Sequence, residues 1–220
     1  MEVVLGDKGR AHSLVVKGRD QGIFTKGKRG GSAPDLTHTD FASLIACALT
    51  TAAPSKIGRG VKEILGLELS YIEYLLDDAD PFDLKSWRSC RETDSLPAEI
   101  NEVLEVIPLG LDVPDSSGLT FGLSLSNLFP GPARLNRFAI NDVIELVEQD
   151  EFKLATILLH DANATSSNGD LRGQRSLRLV FSNGKYLGLE KVESTRRLYI
   201  TALNELLAIA KPIRDGGVHA

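Results

Sequence analysis

Cysteine, methionine and tryptophan are scarce in this 220-residue chain, at two, one and one copies. Two cysteines supply neither a disulfide scaffold nor a four-thiolate metal cluster. No stretch approaches the 18 uninterrupted apolar residues of a membrane-crossing helix, so no membrane partner is expected. The opening Met1–Asp7 lacks the basic-then-apolar pattern of a secretory leader, and with so few cysteines this leads to the expectation of a reducing, cytoplasmic setting. Apolar residues make up 42% and charged residues 25%, a mix that excludes collagen-like and fully disordered chains and is ample for a hydrophobic core.

The charge present is unevenly placed. The chain carries a net −5, yet residues 1–31 hold seven basic side chains against three acids. Residues 171–197 are basic again, whereas residues 68–83 hold six acids and no base. Such asymmetry marks surfaces that meet charged partners, or solvated faces that differ in sign.

Periodicity divides the chain into four stretches. Residues 1–36 form a basic N-terminal segment, with short strands expected at Val3–Leu5 and Ser13–Lys17 and a Gly-rich loop near Gly27–Pro34. Residues 37–106 read as helical. A helix is expected over Asp40–Ala52, capped by Thr37 or Thr39 and ended by Pro54. A second, capped by Ser55, carries Ile57, Val61, Ile64 and Leu65 and stops at Gly66. A third spans Leu69–Asp78, and shorter ones fall at Asp83–Glu92 and Pro97–Val106. Residues 107–137 are an irregular Pro/Gly-rich connection, with a strand near Leu119–Leu125. Residues 138–220 form an α+β unit. In it, Phe138–Gln149 reads as a helix and Phe152–Leu159 as a buried strand. Arg175–Ser182 and Lys185–Glu193 read as a hairpin turning at Asn183-Gly184, with Phe181 opposite Tyr186. A last helix, capped by Ser194 or Thr195, runs to about Ala210 before Pro212. The fold class expected is α+β: a mainly helical N-terminal half with a helix-turn-helix-like unit, then helix, strand, β-hairpin and helix.

Ile57–Leu76 carries the strongest functional pattern. With Gly66 at the turn, Val61, Leu65, Leu67, Ile72 and Leu75 take the apolar positions that lock two helices near a right angle. Lys62 stands where close helix contact favours Ala or Gly. In a DNA reader the second helix enters the major groove, where Ser70, Tyr71 and Glu73 would meet bases while Lys56, Arg59 and Lys62 held phosphate. Glu73, Asp77 and Asp78 would be repelled by the closely spaced phosphates of a duplex. The first expectation is therefore a non-catalytic regulatory or assembly protein. It would bind a partner protein through Glu68, Glu73, Asp77, Asp78 and Tyr71, within a nucleic-acid-handling complex. The second is a direct DNA- or RNA-binding protein using Lys56, Arg59, Lys62, Lys26, Lys28 and Arg29, together with Arg178, Lys185 and Lys191 of the basic hairpin. The third is a hydrolase centred on His160 and Asp161, because loops after strands often carry catalysis.

Other patterns fall short. Gly22–Lys28 has the spacing of a phosphate-binding loop, but Arg29 replaces the magnesium-binding Ser or Thr. Asp161, Asn163 and Thr165 begin like a calcium loop, but Ser166 replaces its glycine and Arg172 its closing glutamate. Cys47 lies in an apolar helical run and reads as inert core. No metal and no cofactor are expected.

Overall fold

A computed structural model describes residues 8–25, 37–75, 83–86, 119–129, 142–149, 152–160, 176–184 and 194–214. These residues form an α+β fold in which one antiparallel sheet carries its helices on a single shared core. In chain order the elements are α1 (Lys8–Asp20), α2 (His38–Leu49), a 3-10 turn (Pro54–Lys56), α3 (Ile57–Leu65), β1 (Glu68–Leu75), β2 (Asp83–Ser86), α4 (Phe121–Leu128), β3 (Val143–Gln149), β4 (Phe152–His160), β5 (Ser176–Ser182), β6 (Ser194–Leu198) and α5 (Ile200–Arg214). The six strands lie in the order β2-β1-β5-β4-β3-β6. The sheet thus joins strands from the 37–106 stretch to strands from the 138–220 stretch.

Side chains alternate across a strand, so each register line has one face toward the helices. Ile144, Leu146, Ala155, Ile157, Leu159, Leu177, Leu179, Phe181 and Leu198 form the helix-facing set, and they share one core with Leu14, Phe41, Ile45, Ile57, Phe121 and Leu203. Phe41 packs against Phe129 at a 5.3 Å centroid distance, and Phe121 against Phe181 at 5.5 Å. Both tilted pairs suit the ring quadrupoles. Val147, Leu154 and Val180 form a smaller buried cluster on the opposite sheet face.

Several elements follow from local chemistry as expected. Thr37 caps α2: its hydroxyl accepts from Asp40 N, and the Asp40 carboxylate accepts from Thr37 N at 3.0 Å. That reciprocal arrangement is a capping box. Gly66 closes α3. The β4 segment is a strand, and α5 buries Leu203, Leu206, Leu207 and Ala210 on one stripe.

The helix-turn-helix-like unit is corrected. Its first helix is α3, but its second is strand β1, paired on both sides with β2 and β5. A bulge between Leu69 and Tyr71 gives this strand a helical-looking pattern. Leu69 pairs with Phe181 before it and Ile72 with Leu179 after it, so the apolar parity switches within the strand. An extra residue in a strand turns a period of two into a spacing of three, which resembles a helix. The expected Asp83–Glu92 helix begins instead as strand β2, and its remainder lies outside the described residues.

Three other segments exchange helix for strand. Ser13–Lys17 is not a strand but the centre of α1, because Ala11, Leu14 and Gly18 recur at helical spacing and are buried. Gly22, at φ 71°, closes that helix, with Ile23 N donating to Gly18 O and Gly22 N to Arg19 O. This is the double reversal that a left-handed glycine permits. Leu119–Leu125 is not a strand either: Thr120 accepts from Leu123 N and starts α4, which buries Phe121, Leu125 and Leu128. In the converse case, the part of Phe138–Gln149 that is described is strand β3. Ile144 and Leu146 enter the helix-facing core while Val147 enters the cluster behind, and apolar residues on both faces mimic a helical stripe.

The expected hairpin at Asn183-Gly184 is also corrected. Both edges of β5 are occupied, by β1 and β4, which leaves no edge for a strand returning onto Phe181. Gly184 does not adopt positive φ, and the Asn183 carboxamide instead accepts from Lys153 N at 2.9 Å. Ser194 and Thr195 belong to β6 rather than capping the last helix, and α5 continues through Pro212 to Arg214. Ser55 sits in the 3-10 turn, and Lys56 precedes α3 without a side-chain cap. The expected elements at Val3–Leu5, Gly27–Pro34, Pro97–Val106 and Lys185–Glu193 lie outside the described residues.

Candidate functional site

The fold builds a basic surface from two separated segments. Helix α1 carries Lys8, Arg10, Lys17 and Arg19, and the 3-10 turn and α3 carry Lys56, Arg59 and Lys62. All but the half-buried Arg10 are exposed. One side chain stitches the segments together. Gln21 Nε2 donates to Pro54 O at 2.9 Å, and Gly58 N donates to Gln21 Oε1 at 2.6 Å. The second bond satisfies an amide at the start of α3, where Lys56 offers no cap. A Cβ on Gly58 would lie 2.8 Å from Gln21 Cβ, so the glycine permits this close approach.

Two acids temper the surface. Lys17 pairs with Asp20 at 3.9 Å, and Arg59 with Glu63 at 2.7 Å. Glu63 also meets Lys153 at 3.2 Å, which anchors α3 to the start of β4. The hydrogen bond from Arg59 leads the causes that hold the Glu63 carboxyl below its usual range; burial opposes it and Lys153 adds to it. Lys8, Arg19, Lys56 and Lys62 make no ion pair among the described residues. The far half of α1 extends the positive field toward β6. Burial lowers the Arg196 pKa first, the charge of Arg10 lowers it further, and Glu148 opposes both. Glu148 is itself engaged, accepting from Thr51 N at 2.8 Å and Thr51 Oγ1 at 2.7 Å at the end of α2.

The acidic set distributes differently. Glu68 begins β1 and is exposed, while Tyr71 and Glu73 occupy β1 positions in register with Val180 and Arg178. No recognition helix presents them, because β1 lies inside the sheet. Asp77 and Asp78 lie outside the described residues, as do Lys26, Lys28, Arg29, Lys185, Lys191, Cys90 and Asp161. Arg178 sits half-buried in β5, away from the helix layer, on the face that also holds Val180.

His160 ends β4, and the carboxylate that holds it is Asp142. Asp142 Oδ1 accepts from His160 N at 2.7 Å and meets His160 Nδ1 at 3.1 Å. The Asp142 side chain is 3% exposed, so the contact is shielded from water. No local sequence pattern signals this pair, whose members are 18 positions apart.

Cys47 is fully buried, and burial pushes its thiol pKa up to about 12. That is core chemistry rather than a nucleophile. Among the described residues no group of three or more His, Cys, Asp or Glu is placed to hold a metal ion. No described helix is long and apolar enough to cross a membrane. Comparison with known protein families, curated proteins and solved structures finds no match to this chain.

Proposed function

We propose that this protein binds nucleic acid through the phosphate backbone, as a regulatory or assembly component, using the surface formed by α1, the 3-10 turn and α3. One observation carries the reading: in a chain of net charge −5, the Gln21 bridge brings the end of α1, which carries Lys17 and Arg19, against the 3-10 turn and α3, which carry Lys56, Arg59 and Lys62. Neutralised phosphates release counterions, so clustered Lys and Arg yield strong binding at low salt without sequence recognition. Phosphate contacts carry no base information, so sequence preference is expected to be weak. The protein-partner reading through Glu68, Glu73, Asp77, Asp78 and Tyr71 would need a docking face built around β1 rather than a recognition helix.

Binding of random-sequence duplex DNA and single-stranded RNA, measured at about 50 and 200 mM salt, tests the proposal. The expected result is affinity that falls steeply with salt. Replacing Lys56 and Lys62 together by Glu should weaken binding to every sequence alike and reduce the slope of log K against log salt by about 2. No binding to either nucleic acid at about 50 mM salt, where phosphate contacts are strongest, overturns the reading.

A further inference from the structure

Strand β6 is the last in the sheet order, and among the described residues no strand lies on its outer side. Its two arginines point to opposite faces, because neighbouring strand residues alternate. Arg196 shares the side of the buried Leu198, toward the helices, where its Nη1 donates to Ala48 O at 3.4 Å. Burial and then the charge of Arg10 lower its pKa, which puts it within the field of α1. Arg197 stands on the other face, paired with Glu145 and half-exposed. Positive charge therefore turns around this edge of the sheet. Tyr199 sits at the same place, between β6 and α5. It is 56% exposed, more than any other large apolar side chain described. A lone exposed ring is ordinary, but this one is held at both ends. Its carbonyl accepts from Leu203 N at 2.9 Å in the first turn of α5. Its hydroxyl meets Arg197, whose hydrogen bonds to Glu145 first and to Tyr199 second raise the guanidinium pKa. A ring held this way in water loses little freedom when a flat partner stacks on it.

We infer, building on the nucleic-acid reading above, that the ligand is single-stranded, with one base stacked on Tyr199 and its backbone running past Arg196 and Arg197. Charge alone favours the opposite form, because a duplex carries a phosphate every 1.7 Å or so of axis, about twice the density of one strand. A duplex is stiff over about 150 bp, however, and does not follow charge that turns around a sheet edge. Its base faces are also already covered by one another. A single strand bends around the edge and offers open base faces, which aromatic side chains bind whatever the sequence. Stacking on Tyr199 thus adds affinity without adding sequence preference.

The test measures binding of the full chain to an oligodeoxythymidine, to a DNA duplex of the same length and to inorganic polyphosphate, at about 50 mM salt. The parent should hold the single strand more tightly than the duplex. Tyr199→Ala should weaken single-strand binding about 5- to 150-fold, the worth of one stacked base. Its melting temperature, its salt slope and its polyphosphate binding should match the parent's, because no charge is removed. Tyr199→Phe keeps the ring and should retain most of the affinity. Parental single-strand affinity in Tyr199→Ala, an equal loss toward polyphosphate, or a parent that prefers the duplex overturns the inference while leaving the phosphate-binding reading intact. A parent that binds neither nucleic acid overturns both.

Discussion

Replacing Gln21 by Ala should loosen α1 from α3 and weaken the basic surface with it. The carboxamide makes two bonds, to Pro54 O and from Gly58 N. The second acts as a cap supplied from another helix, and losing a cap costs about 0.5–2 kcal/mol. The first is exposed, so water replaces it at a cost of about 0.5 kcal/mol. The sum, about 1–2.5 kcal/mol, should lower Tm by about 2–10 °C in a chain of this size. Gln21→Glu separates the two bonds, because a carboxylate still accepts from Gly58 N but cannot donate to Pro54 O. It should recover most of the loss. Gly58→Ala should displace Gln21, since the added carbon meets both its Cβ and its Oε1 at 2.8 Å. The double variant should then cost less than the two single losses added together. Thermal unfolding followed by circular dichroism, with hydrogen exchange of the α1 amides, reads all four chains. A Gln21→Ala protein with unchanged Tm and unchanged α1 protection would refute the bridge.

Other outcomes follow from the buried polar and thiol groups. Burial tends to raise the Asp40 pKa, but hydrogen bonds from Thr25 and Thr37 outweigh it and hold the carboxyl below its ordinary 3.8. A depressed folded pKa contributes stability that is fully present above the unfolded value and is lost as pH falls through the folded one. Asp40→Asn should therefore flatten the stability–pH curve below about 3.8 while lowering stability at neutral pH, as measured by urea unfolding across that range. Cys47 should resist iodoacetamide in the folded chain at pH 8 and react on denaturation, as read by mass on its own peptide; rapid native labelling would contradict its burial.

Much of the local structure was legible in single segments. Thr37 and Asp40 announce the start of α2 three residues apart, Gly66 ends α3, and the β-rich run Phe152–Leu159 can hardly be anything but strand. The α+β class follows from such elements, and so does the inert reading of Cys47. The basic character of residues 1–31 and of Lys56, Arg59 and Lys62 is likewise visible without coordinates. His160 could be noticed, but its carboxylate could not: the adjacent Asp161 is the obvious partner in sequence, whereas Asp142 reaches it across a strand pair.

What periodicity determined, then, was where apolar and charged side chains recur. What the tertiary structure decided was which period each run obeys, because a residue's face is defined by its neighbours across space. The bulge at Leu69–Tyr71 and the two-sided burial of Ile144–Val147 both turn strands into helical-looking patterns. Conversely, burial of Ala11, Leu14 and Gly18 makes a helix of a β-branched run. The meeting of α1 with α3, and of Asp142 with His160, depends on contacts between distant segments, whose closure is rewarded only when the whole sheet and its helical layer have formed.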